Sequence, residues 1–219
     1  MSQLIFKFPF KTNYFEEDFY VSSNNFEAYK LIENWPKWSG RYVNIHGPSG
    51  CGKTHLANIF GKKIKPLCVK ASELNDNSLS LIKLKECLII DDFTNNIEEK
   101  LFYSVLNQSH QSNQYVIVNS LKPINTLEVL LSDLKSRFDS FINIGIDLPT
   151  DDLIRVILSK YFSDKQIKIE IKLLEYILKN INRSYEDIFD LIDKVDSLSL
   201  SSGKSININL IKKVLKKNE

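Results

Sequence analysis

The chain has 219 residues, 43% of them hydrophobic and 26% charged, and a formal net charge of +2. That length accommodates one good core, or an α/β domain with a small appendage, and the composition is that of an ordinary soluble globular protein. The near-neutral balance argues against a general polyanion binder. No apolar run approaches the roughly 18 residues of a membrane span, and the first residues lack a signal-peptide pattern. The three cysteines, Cys51, Cys68 and Cys87, have neither metal-ligand spacing nor the even number of a disulfide framework. The cytoplasm is the expected compartment. Only four of the 29 basic residues are arginines, Arg41, Arg137, Arg155 and Arg183, so a site that uses one has a reason to need a planar, multi-donor cation.

Residues 1–13 form an arm with Leu4, Ile5, Phe6, Phe8 and Phe10 close together, where a chain end is usually polar. Two readings stand: a strand or arm packed on the chain's own sheet, or a short linear motif presented to a partner's pocket. In the second, Gln3 bonds at the pocket rim, and Leu4, Phe6 and Phe8 are the anchors. An aromatic-rich segment follows, from Phe15 to Trp38. Ser23 or Asn24 is placed to cap a helix through Phe26, Ala28, Tyr29, Leu31 and Ile32, which Pro36 ends. A segment of this kind ahead of a phosphate loop walls a base pocket or simply packs in the core.

Tyr42 to His46 reads as a strand, Gly47-Pro48-Ser49-Gly50-Cys51-Gly52-Lys53-Thr54 as a phosphate loop, and Lys53 to Phe60, with His55 in its first turn, as a helix. The glycines let the backbone turn tightly enough to aim several N–H groups at one set of phosphate oxygens, and the helix start adds partial positive charge. Lys53 is placed to reach the terminal phosphates of ATP or ADP, and Thr54 a bound Mg2+ ion. Pro66 to Lys70 is a short strand. Glu86-Cys87-Leu88-Ile89-Ile90-Asp91-Asp92 is an apolar run ending in two carboxylates, as expected of a parallel strand buried on both faces whose C-terminal end faces a ligand. Asp91 is the expected magnesium carboxylate, and Asp92 stands where a base would polarise water.

Ile97 to His110 reads as a helix, Tyr115 to Val118 as a strand ending in the polar Asn119 and Ser120, Leu127 to Phe138 as a helix, and Phe141 to Ile144 as the last strand. Asn119 is placed to sense a γ-phosphate. Arg137, near the end of its helix, is either an arginine finger for a neighbouring subunit's nucleotide or a surface arginine favoured at a helix C-terminus. From Leu148 only helices follow: Asp151 to Tyr161 capped by Thr150, Ile171 to Ile181, Tyr185 to Leu198 opened by Ser184 and Asp187, and Ile208 to Lys217. The predicted layout is a 1–13 arm, a 14–147 α/β P-loop NTPase domain with a parallel sheet, and a 148–219 all-helical lid.

These motifs together resemble an AAA+ module. His46 to Leu56, Leu88 to Asp92, Leu134 to Phe138 and the segment Phe19 to Asn24 are similar to the bacterial replication initiator DnaA. The arm at Gln3 to Phe8 resembles bacterial sliding-clamp-binding peptides. An initiator-like module with such an arm, and no DNA-reading domain in the sequence, resembles the Hda-type regulatory inactivators of DnaA. That resemblance implies a negative regulator of replication initiation, with the DNA-loaded sliding clamp and DnaA as partners and DNA met only through the clamp. Arg137 would act in trans on the initiator's ATP, and the chain's own site would hold ADP or ATP with Mg2+ and at most weak ATPase activity. No membrane partner is implied, and a homodimer stays open. Two features depart from the family pattern: an acidic residue, Glu186 or Asp187, stands where the lid arginine is expected, leaving Arg183 as the nearest substitute, and Leu121 replaces an acidic residue. The alternative is an autonomous AAA+ ATPase of replication, such as a helicase-loading factor or an initiator-like protein.

Overall fold

Each short apolar run becomes a parallel strand because the chain returns through a helix before adding the next. In the computed structural model, residues 18–94, 96–165, 167, 169–203 and 206–215 are described; the arm with Gln3, Leu4, Phe6 and Phe8 lies outside them. The elements run α1 (Phe26–Glu33), β1 (Tyr42–His46), α2 (Lys53–Ile64), β2 (Leu67–Lys70), α3 (Asp76–Ile82), β3 (Cys87–Phe93), α4 (Glu99–Gln111), β4 (Tyr115–Ser120), α5 (Ser132–Asp139), β5 (Ile142–Gly145), α6 (Asp151–Asp164), α7 (Ile171–Asn180), α8 (Tyr185–Ser202) and α9 (Ile208–Leu215). The five strands form one parallel sheet in the order β2-β3-β4-β1-β5. The described residues divide into two compact units whose boundary in sequence falls between Asp147 and Leu148.

Strand alternation decides what each face of the sheet carries. Tyr42, Leu88, Ile90, Val116 and Val118 belong to a core with Phe102, Val105 and Leu106 of α4 and Leu134 and Phe138 of α5. The alternate residues Val43, Ile45, Ile89 and Ile117, also buried, point to the other face, where α2 packs on β3 and β4. Helix α2 turns Leu56, Ala57, Ile59 and Phe60 inward at helical spacing. It stops at Lys65, whose left-handed backbone donates to the Gly61 carbonyl, with Pro66 barring a further turn. The helical unit has its own core of Ile154, Leu158, Phe162, Ile177, Ile188 and Ile211. Its capping residues are the predicted ones: Thr150 accepts from Leu153 N at 3.3 Å, and Ser184 Oγ accepts from Asp187 N at 3.0 Å while donating to Asp187 Oδ2.

Several local expectations are corrected. Residues 127–131 are not helical: Leu127, Val129 and Leu131 pack on the core while Leu130 is 99% exposed, an alternation of period two. Glu99 holds them in that form by accepting from Leu130 N and Leu131 N, so α5 starts only at Ser132. Helix α1 is entered from Asn25, whose side chain makes no cap bond; it instead accepts from Ser22 N at 2.9 Å and donates to Tyr20 O at 2.9 Å. Trp35 and Trp38 pack on Phe60 and Tyr115, at the N-terminal edge of β4, opposite the strand ends that carry the phosphate loop.

The polar exception in the core is Asn44, fully buried in mid-strand. Its Nδ2 donates to Val118 O and to Ser120 Oγ, both at 2.8 Å, and its Oδ1 accepts from Ile124 N at 2.9 Å. Ser120 Oγ in turn donates to Lys122 O at 2.6 Å. One satisfied amide thus ties β1 to β4 and to the turn after it. Replacing Asn44 with Ala strands these partners away from water, at about 1–3 kcal/mol for each group left unsatisfied. We therefore expect Asn44→Ala to lower the unfolding free energy measured in urea by about 3 kcal/mol.

Candidate nucleotide site

The sheet order puts β4 between β1 and β3, so three C-terminal strand ends converge above one spot. The register pairs Ile45 with Asn119 and Ile90 with Val118, and alternation turns Asp91 and Asn119 to the face where α2 lies. The result is a network centred on one carboxylate. Thr54 Oγ1 donates to Asp91 Oδ2 at 2.7 Å, Asn119 Nδ2 donates to Asp91 Oδ1 at 3.1 Å, and the backbone N–H of Asp92 donates to the same Oδ1 at 3.0 Å. Asn119 is fully buried, and its Oδ1 has no partner.

The phosphate loop is rooted in the same strand end: Gly47 N donates to Ser120 O at 3.2 Å. Gly47, with a φ of 155°, admits no side chain, since a Cβ there would lie 2.4 Å from Ile146 O. Gly52, with a φ of 100°, precedes α2, and no side chain caps that helix start, leaving it to an anion. Lys53 Nζ lies over the loop, donating to Gly47 O at 2.8 Å and Pro48 O at 2.9 Å, with Cys51 Sγ at 3.7 Å. Burial pushes the Cys51 thiol pKa up, against the pull of the Lys53 charge. Ser49 and Gly50 are exposed at the tip, and Pro48 is half-buried.

Phe19 forms one wall. Its ring lies 3.2 Å from where a Gly52 Cβ would be, stacks on Tyr29 and meets His55 edge-on at 5.3 Å. Its segment is pinned by Asn24, whose Nδ2 donates to Asp147 O at 3.2 Å while Asp147 N donates to Asn24 O at 3.0 Å.

Asp92 is exposed, with a φ of 54° at the point where the β3–β4 register shifts. The irregularity turns its side chain out of the strand's alternation. Thr54 and Asp91 offer adjacent hard oxygens, a donor set that fits Mg2+, which takes one or two protein oxygens and completes its shell with water and phosphate. Among the described residues no group of three or more His, Cys, Asp or Glu could hold a metal by itself. The arrangement can therefore cradle phosphate on the loop and orient a cation between Thr54 and Asp91.

Two predicted residues have partners elsewhere. Arg137, half-buried on α5, donates from Nη2 to Asn107 Oδ1 on α4 at 2.8 Å. Arg183 belongs to the helical unit, where Nε donates to Asp151 Oδ1 at 2.9 Å. Sequence reasoning passed over Asn44, Glu99 and Asn107. Of these only Asn44 carried a signal, as a lone amide inside an apolar strand.

A family model described as RNA helicase matches residues 43–122, the stretch from β1 through the end of β4. DnaA domain III of Thermotoga maritima superposes with a TM-score of 0.76, covering 96% of this chain and 98% of that one at 20% identity. The fold is that of a DnaA-like AAA+ domain. AMPPCP-bound DnaA from Aquifex aeolicus superposes with a TM-score of 0.72, covering 94% of this chain and 69% of that one at 19% identity. In sequence, the chromosomal replication initiator protein DnaA of Borreliella afzelii is 27% identical over 96% of this chain and 49% of its own length. The chain thus spans about half the length of the curated relatives it matches. Among the described residues, no helix is long and apolar enough to cross a membrane.

His46, at the root of the loop, gives the site a pH signature. Burial pushes its pKa below the usual value; Asp147 opposes that shift and Lys53 adds to it. A depressed folded-state pKa means that the unfolded chain binds more protons. Stability is then full above about pH 6.5, the ordinary histidine value, and is lost as pH falls through the folded value. Urea midpoints of the wild type should fall between about pH 7 and 5, and His46→Gln should flatten that part of the profile.

Proposed function

We propose that this chain is a nucleotide-binding regulator of replication initiation that works on an initiator of its own fold. The observation that carries the nucleotide half is the Asp91 network, which holds Thr54, Asn119 and the Asp92 backbone around one carboxylate beside a phosphate loop with an uncapped helix start. In this reading Gly47 to Thr54 cradle the phosphates of ADP or ATP, with His55 beside them. Lys53 leaves the loop carbonyls for the terminal phosphate, and Thr54 and Asp91 orient Mg2+, which supplies charge neutralisation between the phosphates. Asn119 reports on the terminal phosphate. Likeness in fold to the AMPPCP-bound Aquifex aeolicus DnaA supports nucleotide binding.

The regulatory half rests on the Hda-type pattern. Gln3, Leu4, Phe6 and Phe8 address the chain to the DNA-loaded sliding clamp. Arg137, at the last turn of α5, offers its remaining N–H donors to the ATP of an adjacent DnaA and stabilises charge on the transferred phosphoryl group. Arg183, paired with Asp151, would stand in for the lid arginine of the family pattern. A second reading, an autonomous AAA+ ATPase, is favoured by the presence of Lys53, Thr54, Asp91, Asp92 and Asn119 together, with Asp92 polarising water.

In the first reading, Lys53→Ala weakens ADP and ATP binding by at least tenfold, measured by calorimetry. The chain accelerates hydrolysis on ATP-loaded initiator in the presence of DNA-loaded clamp. Arg137→Ala removes that acceleration, an effect of ~10³-fold or more, and Gln3→Ala with Phe6→Ala removes its dependence on the clamp. Acceleration that survives Arg137→Ala, or is never seen, sinks this reading; turnover by the chain alone that is lost in Asp92→Asn favours the second.

A further inference from the structure

Helix α5 is short, eight residues, yet it is held at both ends by one neighbouring helix. At its start, the Glu99 carboxylate accepts from Leu130 N at 2.8 Å through Oε1 and from Leu131 N at 2.7 Å through Oε2. Leu131 is the N-cap position of α5 and has no side-chain cap of its own; the α4 carboxylate instead holds the backbone N–H groups of the cap and of the residue before it, near the end where the helix dipole favours negative charge. At its end, Asn107 accepts from the Arg137 guanidinium at 2.8 Å. Glu99 and Asn107 are eight residues apart on α4, about 12 Å along the axis at 1.5 Å per residue, which matches the length of α5. Between them Leu134 and Phe138 are buried, with Phe138 against Phe93 and Phe102. The arginine is therefore the last member of a rigid mount.

We propose that Glu99 and Asn107 are positioning residues that fix the direction of the Arg137 guanidinium, an inference that rests on the reading of Arg137 as a group acting in trans. A free arginine must freeze a long side chain when it meets a phosphoryl group. Here one Nη already points at Asn107, which fixes the guanidinium plane and leaves its other N–H groups for a planar acceptor. Asn107 neither bonds nor neutralises the nucleotide. Its contribution is orientation, of the kind that costs up to about a hundredfold in rate when a reacting group is displaced by an ångström.

The test has one arm without a partner and one with it. In the isolated full chain, nitrogen-15 NMR should show slowed rotation of the Arg137 guanidinium in wild type, lost in Asn107→Leu and kept in Asn107→Asp, which retains the acceptor. Exchange of the Leu130 and Leu131 amides should speed up at least tenfold in Glu99→Ala. With ATP-loaded initiator and DNA-loaded clamp, Asn107→Leu and Glu99→Ala should each lower the maximal stimulated rate ten- to hundredfold. The concentration needed for half-stimulation should stay unchanged, and Asn107→Asp should restore most of the rate. Unaltered guanidinium signals in Asn107→Leu overturn the inference, as does full stimulation by both variants while Arg137→Ala is inactive. Stimulation untouched by Arg137→Ala overturns the trans reading and the positioning role with it.

Discussion

The carboxylate of Asp91 is the point on which the candidate nucleotide site depends. It accepts from a hydroxyl on α2, an amide on β4 and the backbone of the next residue on β3, so three elements far apart in sequence are brought to one pair of oxygens. A carboxylate at a strand end is easily solvated; here its lone pairs are largely committed to fixed donors. That commitment keeps Thr54 and Asn119 at one spot and gives the phosphate loop a defined floor. Removing the carboxylate would release both side chains as well as the candidate cation ligand.

Behind that site the protein uses single buried or half-buried polar groups to couple neighbouring pieces. Asn44 ties β1, β4 and the turn after β4. Ser120 accepts from the first loop glycine through its carbonyl and from Asn44 through its hydroxyl, so the root of the phosphate loop and the end of β4 share one residue. Glu99 and Asn107 do the same for α4 and α5. In each case an apolar core supplies the cohesion, and a directed polar bond chooses the geometry within it.

The sheet, the phosphate loop and the Asp91 strand were legible because their signals are local: glycines at fixed offsets, continuous apolar runs, and carboxylates at a strand end. What was not legible depends on distant partners. Residues 127–131 have helix-compatible residue types, but Glu99, some thirty positions earlier, takes their N–H groups in an extended form. Helix α3 escaped notice because it is seven residues long and completely buries only Ile82, too little for a periodic pattern. The bond between Arg137 and Asn107 joins side chains from two helices and leaves no trace in either segment. For Trp35 and Trp38 the packing on Phe60 and Tyr115 favours the core alternative over a base-pocket wall.

The alternation that brings Asp91 and Asn119 to the α2 face also makes the site discrete. A strand buried on both faces between two parallel neighbours is a ruler with a fixed unit of one residue. Deleting a single residue ahead of Asn119 in β4 would not shift the site by 3.3 Å and leave it working. It would put Ser120 in place of the amide and turn the apolar set of one face onto the other. The chain can drift in its loops, but in β1, β3 and β4 length itself is part of the chemistry.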